Sequence, residues 1–162
     1  MLGVELGQQY ESGAVVPDGT APRENPDPVT DYLPEARPGH RVPHAWIDRG
    51  RVRSSTIDLA QLDRYVLVTD PVGRKPWLQA IAAISDEVDI PVDLVTIGDG
   101  GDYEDSMGNW AELNGLSEGG ALLIRPDSFI GWRCAILPED PAAEIGHVLL
   151  AVTARASSGA VA

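Results

Sequence analysis

The sequence predicts an α/β domain with a mixed β-sheet, preceded by an extended, proline-rich arm. Three stretches carry this prediction. Residues 65–69 form a compact apolar run ending at Asp70, which is typical of a strand buried on both faces. Residues 75–88 place apolar side chains three or four positions apart, which predicts an amphipathic helix. Residues 120–135 hold two apolar runs around a turn sequence, which predicts a β-hairpin.

The elements between these stretches complete one chain order. Pro91 stops the chain after the first helix, and residues 92–97 form a second buried strand that ends at Gly98. A strand, a helix and a strand in this order imply a parallel pair joined by a right-handed crossover. Residues 110–116 predict a short helix before the hairpin, and residues 142–155 predict a longer one after it. The order β-α-β-α-β-β-α is that of the thioredoxin fold, with an antiparallel edge on a parallel pair.

The hairpin holds the residues that we single out as a structural motif: Arg125, Pro126, Asp127, Trp132 and Arg133. Pro126 and Asp127 supply the turn chemistry. Trp132 should point into or against the sheet and Arg133 the other way, because neighbouring side chains of a strand alternate. An arginine leaning inward would need a carboxylate partner, such as Asp127 or Asp70.

The chain divides into three predicted regions. Residues 1–44 form an extended arm that is partly disordered, because seven prolines lie within residues 13–44. High mobility is expected from about residue 1 to residue 36. Residues 45–156 form the thioredoxin-like domain, and residues 157–162 a flexible tail.

Composition excludes several classes of function. A net charge of −13 argues against nucleic acid, whose binding needs a basic face. Arg49, Arg51 and Arg53 alternate with other residues and favour one solvated face of a short strand or hairpin. No apolar run is long enough to span a membrane and no signal-type segment follows Met1, so a cytoplasmic protein is expected.

The sequence also predicts a redox-inactive domain. Disulfide exchange requires Cys-x-x-Cys at the start of the first core helix, where the helix N-terminus lowers the thiol pKa. Residues 71–77 occupy that place without a cysteine. The single cysteine, Cys134, lies in the last predicted strand and is interpreted as an inert packed thiol. Trp46, Trp77, Trp110 and Trp132 are interpreted as packing anchors.

Four other patterns are weighed and set aside, so that no catalytic, cofactor-binding or metal residue is predicted. His40 and His44 have helical zinc spacing, but prolines at 38 and 43 oppose a helix there. Residues 98–101 lack the third glycine of a dinucleotide-binding turn and are surrounded by carboxylates. Residues 99–105 lack the alternating oxygens of a calcium loop. His147 is interpreted as structural, since catalysis needs a partner within reach.

The motifs resemble a known family when taken in order. The matching pieces are residues 3–12 with 14–19, residues 37–46, residues 102–105 with Trp110, and residues 120–127 with Trp132 and Arg133. They resemble the C-terminal part of single-component FAD-dependent aromatic hydroxylases, of the phenol hydroxylase and chlorophenol monooxygenase type. That family uses FAD and NAD(P)H, and its last domain is thioredoxin-like. The family's Gly-x-Gly-x-x-Gly and Gly-Asp segments, which belong to the flavin part, are missing here.

Two hypotheses of function follow. The resemblance implies a structural or interaction role within or beside a flavoprotein monooxygenase, with no cofactor in this chain and the arm as a remnant of the link to a flavin domain. The alternative is a stand-alone, redox-inactive, thioredoxin-like module that binds a protein. Whether the chain belongs to an enzyme is left open, although the chain alone is not expected to be catalytic. A flavin-containing domain or a second copy of the chain is the expected partner.

Overall fold

The computed structural model describes residues 13–21, 23, 24, 27 and 30–158. The strands are β1 (Trp46–Arg49), β2 (Val52–Ser55), β3 (Tyr65–Thr69), β4 (Val92–Thr96), β5 (Ala121–Ile124) and β6 (Ile130–Cys134). The helices are α1 (Arg74–Ile84), α2 (Asn109–Leu113) and α3 (Pro141–Ser158), and a 3-10 turn covers Thr56–Leu59.

The central sheet confirms the predicted α/β class. Its strand order is β4-β3-β5-β6. Strands β3 and β4 are parallel, as a crossover through α1 requires, while β5 is antiparallel to both β3 and β6. The first helix ends at Ile84, short of the predicted 88. Val88 nevertheless stays buried in the core beside Ile84, and its N–H still donates to the Ile84 carbonyl (2.9 Å) in the turn that follows the helix.

Each face of the sheet is covered by a different layer. One face packs against α1 and α3, and its buried core includes Leu67, Trp77, Leu123 and Trp132. The opposite face packs against residues of the arm, β1, the 3-10 turn and α2, with Val66 and Leu122 among its buried members. Burial on both faces explains why β3 and β5 are continuous apolar runs rather than alternating ones.

The β1–β2 hairpin forms a separate two-stranded sheet. Asp48 joins it to the loop after β4, since the N–H of Asp48 donates to the Glu104 carbonyl (2.9 Å) and that of Glu104 to the Asp48 carbonyl (2.8 Å). The sequence expectation of a hairpin here is confirmed, but the single arginine face is wrong. The turn after Arg49 pairs Asp48 with Arg53 and Arg49 with Val52, so that Arg49 and Arg53 lie on opposite faces.

The described part of the arm packs against the domain. Val15 and Ala36 are buried. The Val16 N–H donates to the Gly131 carbonyl (2.8 Å), and the Gly39 N–H to the Ile130 carbonyl (2.8 Å), so the arm covers the outer edge of β6. Residues 1–12, 22, 25, 26, 28, 29 and 159–162 lie outside the described residues, and the predicted mobility of the arm and the tail stays a prediction.

Candidate interaction site at the arm clasp

A β-bulge in β6 decides which way its side chains point. The pairing of β5 with β6 shifts between Leu123 and Ile124, where Gly131 is the extra residue of β6. Ile130 and Arg133 therefore both face the arm, although they are three positions apart, while Trp132 packs on the helix face. The expected opposition of Trp132 and Arg133 is found.

Arg133 binds the arm with all three guanidinium nitrogens. Its Nε donates to Oδ2 of Asp18 at 2.7 Å, and its Nη2 lies 2.6 Å from the same oxygen as an ion pair. Its Nη1 donates to the Ala36 carbonyl at 2.7 Å, and Nη2 also reaches Thr20 Oγ1 at 3.2 Å. The Arg133 and Asp18 side chains are each 11% exposed. One side chain of the sheet thus holds two separate segments of the arm.

The arm meets Arg133 as a preformed turn. Oδ1 of Asp18 accepts hydrogen bonds from the Thr20 N–H (3.0 Å) and hydroxyl (2.6 Å), and Gly19 between them takes a φ of 76°, which favours glycine. Arg37 donates to the Thr20 carbonyl and, at 3.2 Å, to Thr20 Oγ1. We call Asp18, Thr20, Ala36, Arg37 and Arg133 the arm clasp.

The electrostatics of the clasp favour an ionised Asp18. Burial by itself raises the pKa of this carboxyl, but the hydrogen bonds from Thr20 and from Arg133 outweigh burial, so its pKa lies below the usual value. The loop after α2 closes the site from the other side: a Cβ at Gly115 would lie 2.5 Å from Arg133 Nη1, and the Ala36 N–H donates to the Leu113 carbonyl (3.0 Å).

The other motif arginine, Arg125, has the predicted partner. Its Nη2 donates to Oδ2 of Asp127 at 2.6 Å, and its Nη1 to the Ala14 carbonyl at 3.4 Å. Asp127 also accepts from the Phe129 N–H (3.3 Å), which fixes the turn after Pro126. The carboxylate that pairs with Arg133 is Asp18, which the sequence did not predict. The only local indication of a role for Asp18 was the turn sequence Asp-Gly-Thr at residues 18–20.

A disulfide-exchanging thioredoxin has its Cys-x-x-Cys motif where this chain has residues 71–77, and here that region makes structural hydrogen bonds. Asp70, directly after β3, accepts from the Gly73 N–H (2.8 Å) and from the Gly119 N–H (3.1 Å). The Trp77 indole N–H donates to the Gly119 carbonyl at 2.8 Å. Cys134 lies far along the chain on β6, half-buried, where burial raises the pKa of its thiol. These contacts tie α1 to the start of β5.

A cleft of about 260 Å³ lies at the carboxyl ends of β3 and β4. Asp70, Asp105 and Asn114 contribute polar groups to its wall. Asp105 accepts from the Trp110 and Ala111 N–H groups at 3.3 and 2.9 Å, and Asn114 Oδ1 accepts from the Leu116 N–H at 2.7 Å. Like Asp70, these groups hold the protein's own backbone and shape α2 and its following loop.

The glycine-rich loop after β4 is closed upon itself, and its residues do not fit a flavin pyrophosphate. The Gly98 N–H donates to the Tyr103 carbonyl (2.9 Å) and the Gly101 N–H to the Gly98 carbonyl (2.9 Å), whereas a phosphate-binding turn points such N–H groups at its ligand. The Asp102 carboxylate, which accepts from the Thr96 N–H (2.9 Å) and hydroxyl (2.8 Å), adds negative charge.

The histidines set aside by the sequence have separate surroundings. His44 Nδ1 lies 2.7 Å from Ser55 Oγ, whereas the buried Nε2 of His40 lies 3.6 Å from Glu35 Oε1, beyond hydrogen-bond distance. Within the described residues, no group of three or more His, Cys, Asp or Glu side chains is arranged to hold a metal ion. Among the helices described, none is both long and apolar enough to cross a bilayer.

Three of the four tryptophans are packing anchors, as expected. Trp77, Trp110 and Trp132 are at most 3% exposed, and the Trp77 and Trp132 rings meet edge to face at 5.8 Å. Trp46 departs from the expectation, because it is 42% exposed on the outer face of the β1–β2 hairpin. Its ring packs edge-on against His44 at 4.6 Å.

Comparison with known proteins gives a consistent result. The family described as the C-terminal part of aromatic-ring hydroxylases matches residues 35–156. The chain is 41% identical to 2,4-dichlorophenol 6-monooxygenase of Delftia acidovorans over 81% of its own length and 22% of that protein. It is 40% identical to tetracenomycin A2 monooxygenase-dioxygenase of Streptomyces glaucescens, over 95% of this chain and 26% of the other.

Solved structures agree with these relatives. The flavin-dependent monooxygenase PieE, in complex with FAD and substrate, superposes with a TM-score of 0.87 at 40% identity, over 94% of this chain and 26% of PieE. Aklavinone-11 hydroxylase, in a ternary complex with FAD and aklavinone, gives a TM-score of 0.78 at 33% identity. The chain thus spans about a quarter of the length of the relatives it matches, and it belongs to the C-terminal domain family of the aromatic-ring hydroxylases.

Proposed function

We propose that this chain acts as the C-terminal, thioredoxin-like domain of a flavin-dependent aromatic hydroxylase, with a structural and interaction role and no redox chemistry of its own. One observation carries the proposal: 94% of the chain superposes on PieE, yet covers only 26% of that enzyme. The FAD and the reacting ring would then be held by the larger remaining part.

The geometry of the domain supports this division. The polar groups at the carboxyl ends of β3 and β4, where α/β sheets commonly bind ligands, bond to backbone N–H groups instead. The glycine loop directs its N–H groups inward, and the raised thiol pKa of Cys134 disfavours the thiolate that disulfide exchange needs. NAD(P)H and the phenolic substrate would likewise be bound outside these residues.

The test is the visible absorption spectrum of the purified chain after incubation with FAD and gel filtration. Protein eluting without flavin bands would support a domain that depends on a flavin part elsewhere. Bound flavin near one equivalent would overturn the proposal, because it would require a site that these residues build alone. An aromatic-hydroxylase relative such as PieE, run through the same column, is the positive control.

A further inference from the structure

Exposed apolar side chains are concentrated on and around the β1–β2 hairpin. Among the described residues, ten large apolar side chains are exposed, and four of them, Trp46, Val52, Ile57 and Leu62, fall within residues 46–62. Met107, 55% exposed, joins them in space, because the hydroxyl of its neighbour Ser106 donates to Asp48 Oδ2 at 2.7 Å. The register of the hairpin places Val52 on the face opposite Trp46, so the exposed apolar group on the outer face comprises Trp46 with Ile57 and Met107.

The outer face of the hairpin is held in place by polar contacts at its margins. Ile47 points into the core, so its neighbours Trp46 and Asp48 point outward. Ser55, opposite Trp46, accepts from the Ile57 N–H at 3.2 Å and bonds the His44 ring, which in turn packs on Trp46. We call His44, Trp46, Ile57 and Met107 the hairpin patch.

We propose that the hairpin patch is the surface on which the flavin-containing part of an aromatic hydroxylase docks. The proposal rests on the proposed function and specifies its interface. Protein interfaces are enriched in Trp and Met, and the hairpin patch exposes one residue of each type. About three quarters of each matched relative lies outside the region that this chain covers, so a partner large enough to cover the patch exists in the family.

Charge argues against a second copy of the chain as the occupant. Arg49 and Arg53 lie on opposite faces of the hairpin and Arg53 pairs with Asp48, but the chain as a whole has a net charge of −13. A two-fold dimer through the patch would bring two chains of this charge together, which is repulsive. A partner with a different surface meets the patch without that penalty.

The experiment co-expresses the full chain with PieE lacking the quarter that this chain matches, and isolates the complex through a tag on the chain. Flavin absorbance at one equivalent in the isolated fraction reports docking. We expect the unaltered chain to retain flavin, and Trp46→Lys and Met107→Lys to retain at least tenfold less. Leu78→Lys on α1, as exposed as Met107 at 55%, is the matched control and should retain as much as the unaltered chain.

The possible results distinguish a wrong docking surface from a wrong proposed function. Retention by the unaltered chain and equally by all three variants would overturn the hairpin patch while leaving the proposed function in place. Failure of the unaltered chain to retain any flavin-containing partner would count against both. Circular dichroism and the urea midpoint of each variant show whether it is folded. Should Trp46→Lys fail to fold, Met107→Lys, whose side chain is more exposed, decides the question.

Discussion

Arg133 and Asp18 form an ion pair across 115 positions of sequence, with Nε and Nη2 of the arginine 2.7 and 2.6 Å from one carboxylate oxygen. Both side chains are 11% exposed. The pair joins the last strand of the sheet to the proline-rich arm, and the Ala36 carbonyl brings a second arm segment to the same guanidinium. The arm is therefore connected to the core by more than its covalent continuation into β1.

Replacing Arg133 should test how much the arm clasp stabilises the domain. Arg133→Ala leaves the Asp18 carboxylate and the Ala36 carbonyl without their main donor in a site that water barely reaches. Removing one partner of such a pair costs about 3 kcal/mol. We expect a loss of that size in urea unfolding, without loss of the folded state at low denaturant. An unchanged melting temperature would refute it.

The control for this substitution is Arg51→Ala. Arg51 is exposed at the turn of the β1–β2 hairpin, where surface substitutions change stability by about 0.5 kcal/mol at most. A double-mutant cycle with Asp18→Ala isolates the pair, and we expect a coupling energy above about 1 kcal/mol. Additive single effects would mean that Arg133 acts through its other contacts alone.

Acid should weaken the clasp through Asp18. Its folded-state pKa lies below the ordinary value of 3.8, so the unfolded chain binds the proton first and stability falls as the pH drops. The contribution is complete above the unfolded value and is lost as the pH passes through the lower folded one. The unaltered chain should therefore lose more stability than Asp18→Asn as the pH falls from 5 to 3. The difference in the free energy of unfolding between the two should become smaller over this range. A difference that stays constant across that range would contradict the assignment.

The sequence predicts the sheet well because its signals are local. Runs of apolar residues predict β3, β4 and β5. The pairing of Arg125 with Asp127 could be predicted because both residues belong to one turn. The partner of Arg133 could not be predicted, because a contact between positions 18 and 133 produces no periodic pattern in the sequence. Proline content likewise describes the arm's lack of regular structure, but says nothing about where Val15 or Ala36 is buried.

The exposed Trp46 shows a second limit of sequence reasoning. Trp46 and Trp77 are equally apolar in the sequence, and only the neighbouring elements decide their burial. Trp77 is enclosed between α1 and the sheet, whereas β1 turns its buried face, with Ile47, toward the core and leaves Trp46 outside. The bulge at Gly131 had a local signal, since glycine inside a strand pattern often marks one.

His40 provides a second pH test with a different window. Burial lowers the pKa of its ring, Arg37 and Arg133 add to the effect, and Glu35 opposes it. Because the folded-state pKa is below 6.5, stability is complete above that pH and falls as the pH drops toward the folded value. In the His40→Gln variant, the free energy of unfolding measured in urea should fall less between pH 7 and pH 5 than in the unaltered chain. A His40→Gln variant that keeps the pH dependence of the unaltered chain would contradict this assignment.

Two glycine substitutions should have opposite signs. A Cβ at Gly120 would lie 2.4 Å from the Ala135 carbonyl oxygen, and a backbone atom cannot give way as a side chain can. Gly120→Ala should therefore cost about 2 kcal/mol or more. Gly146 lies inside α3, where a Cβ would meet Ile84 Cγ2 at an ordinary 3.5 Å. Gly146→Ala should stabilise by up to about 1 kcal/mol, because alanine favours the helix. Urea midpoints report both changes: a lower midpoint for Gly146→Ala would show that Ile84 leaves no room for the added methyl group, and an unchanged midpoint for Gly120→Ala would show that the Ala135 backbone gives way.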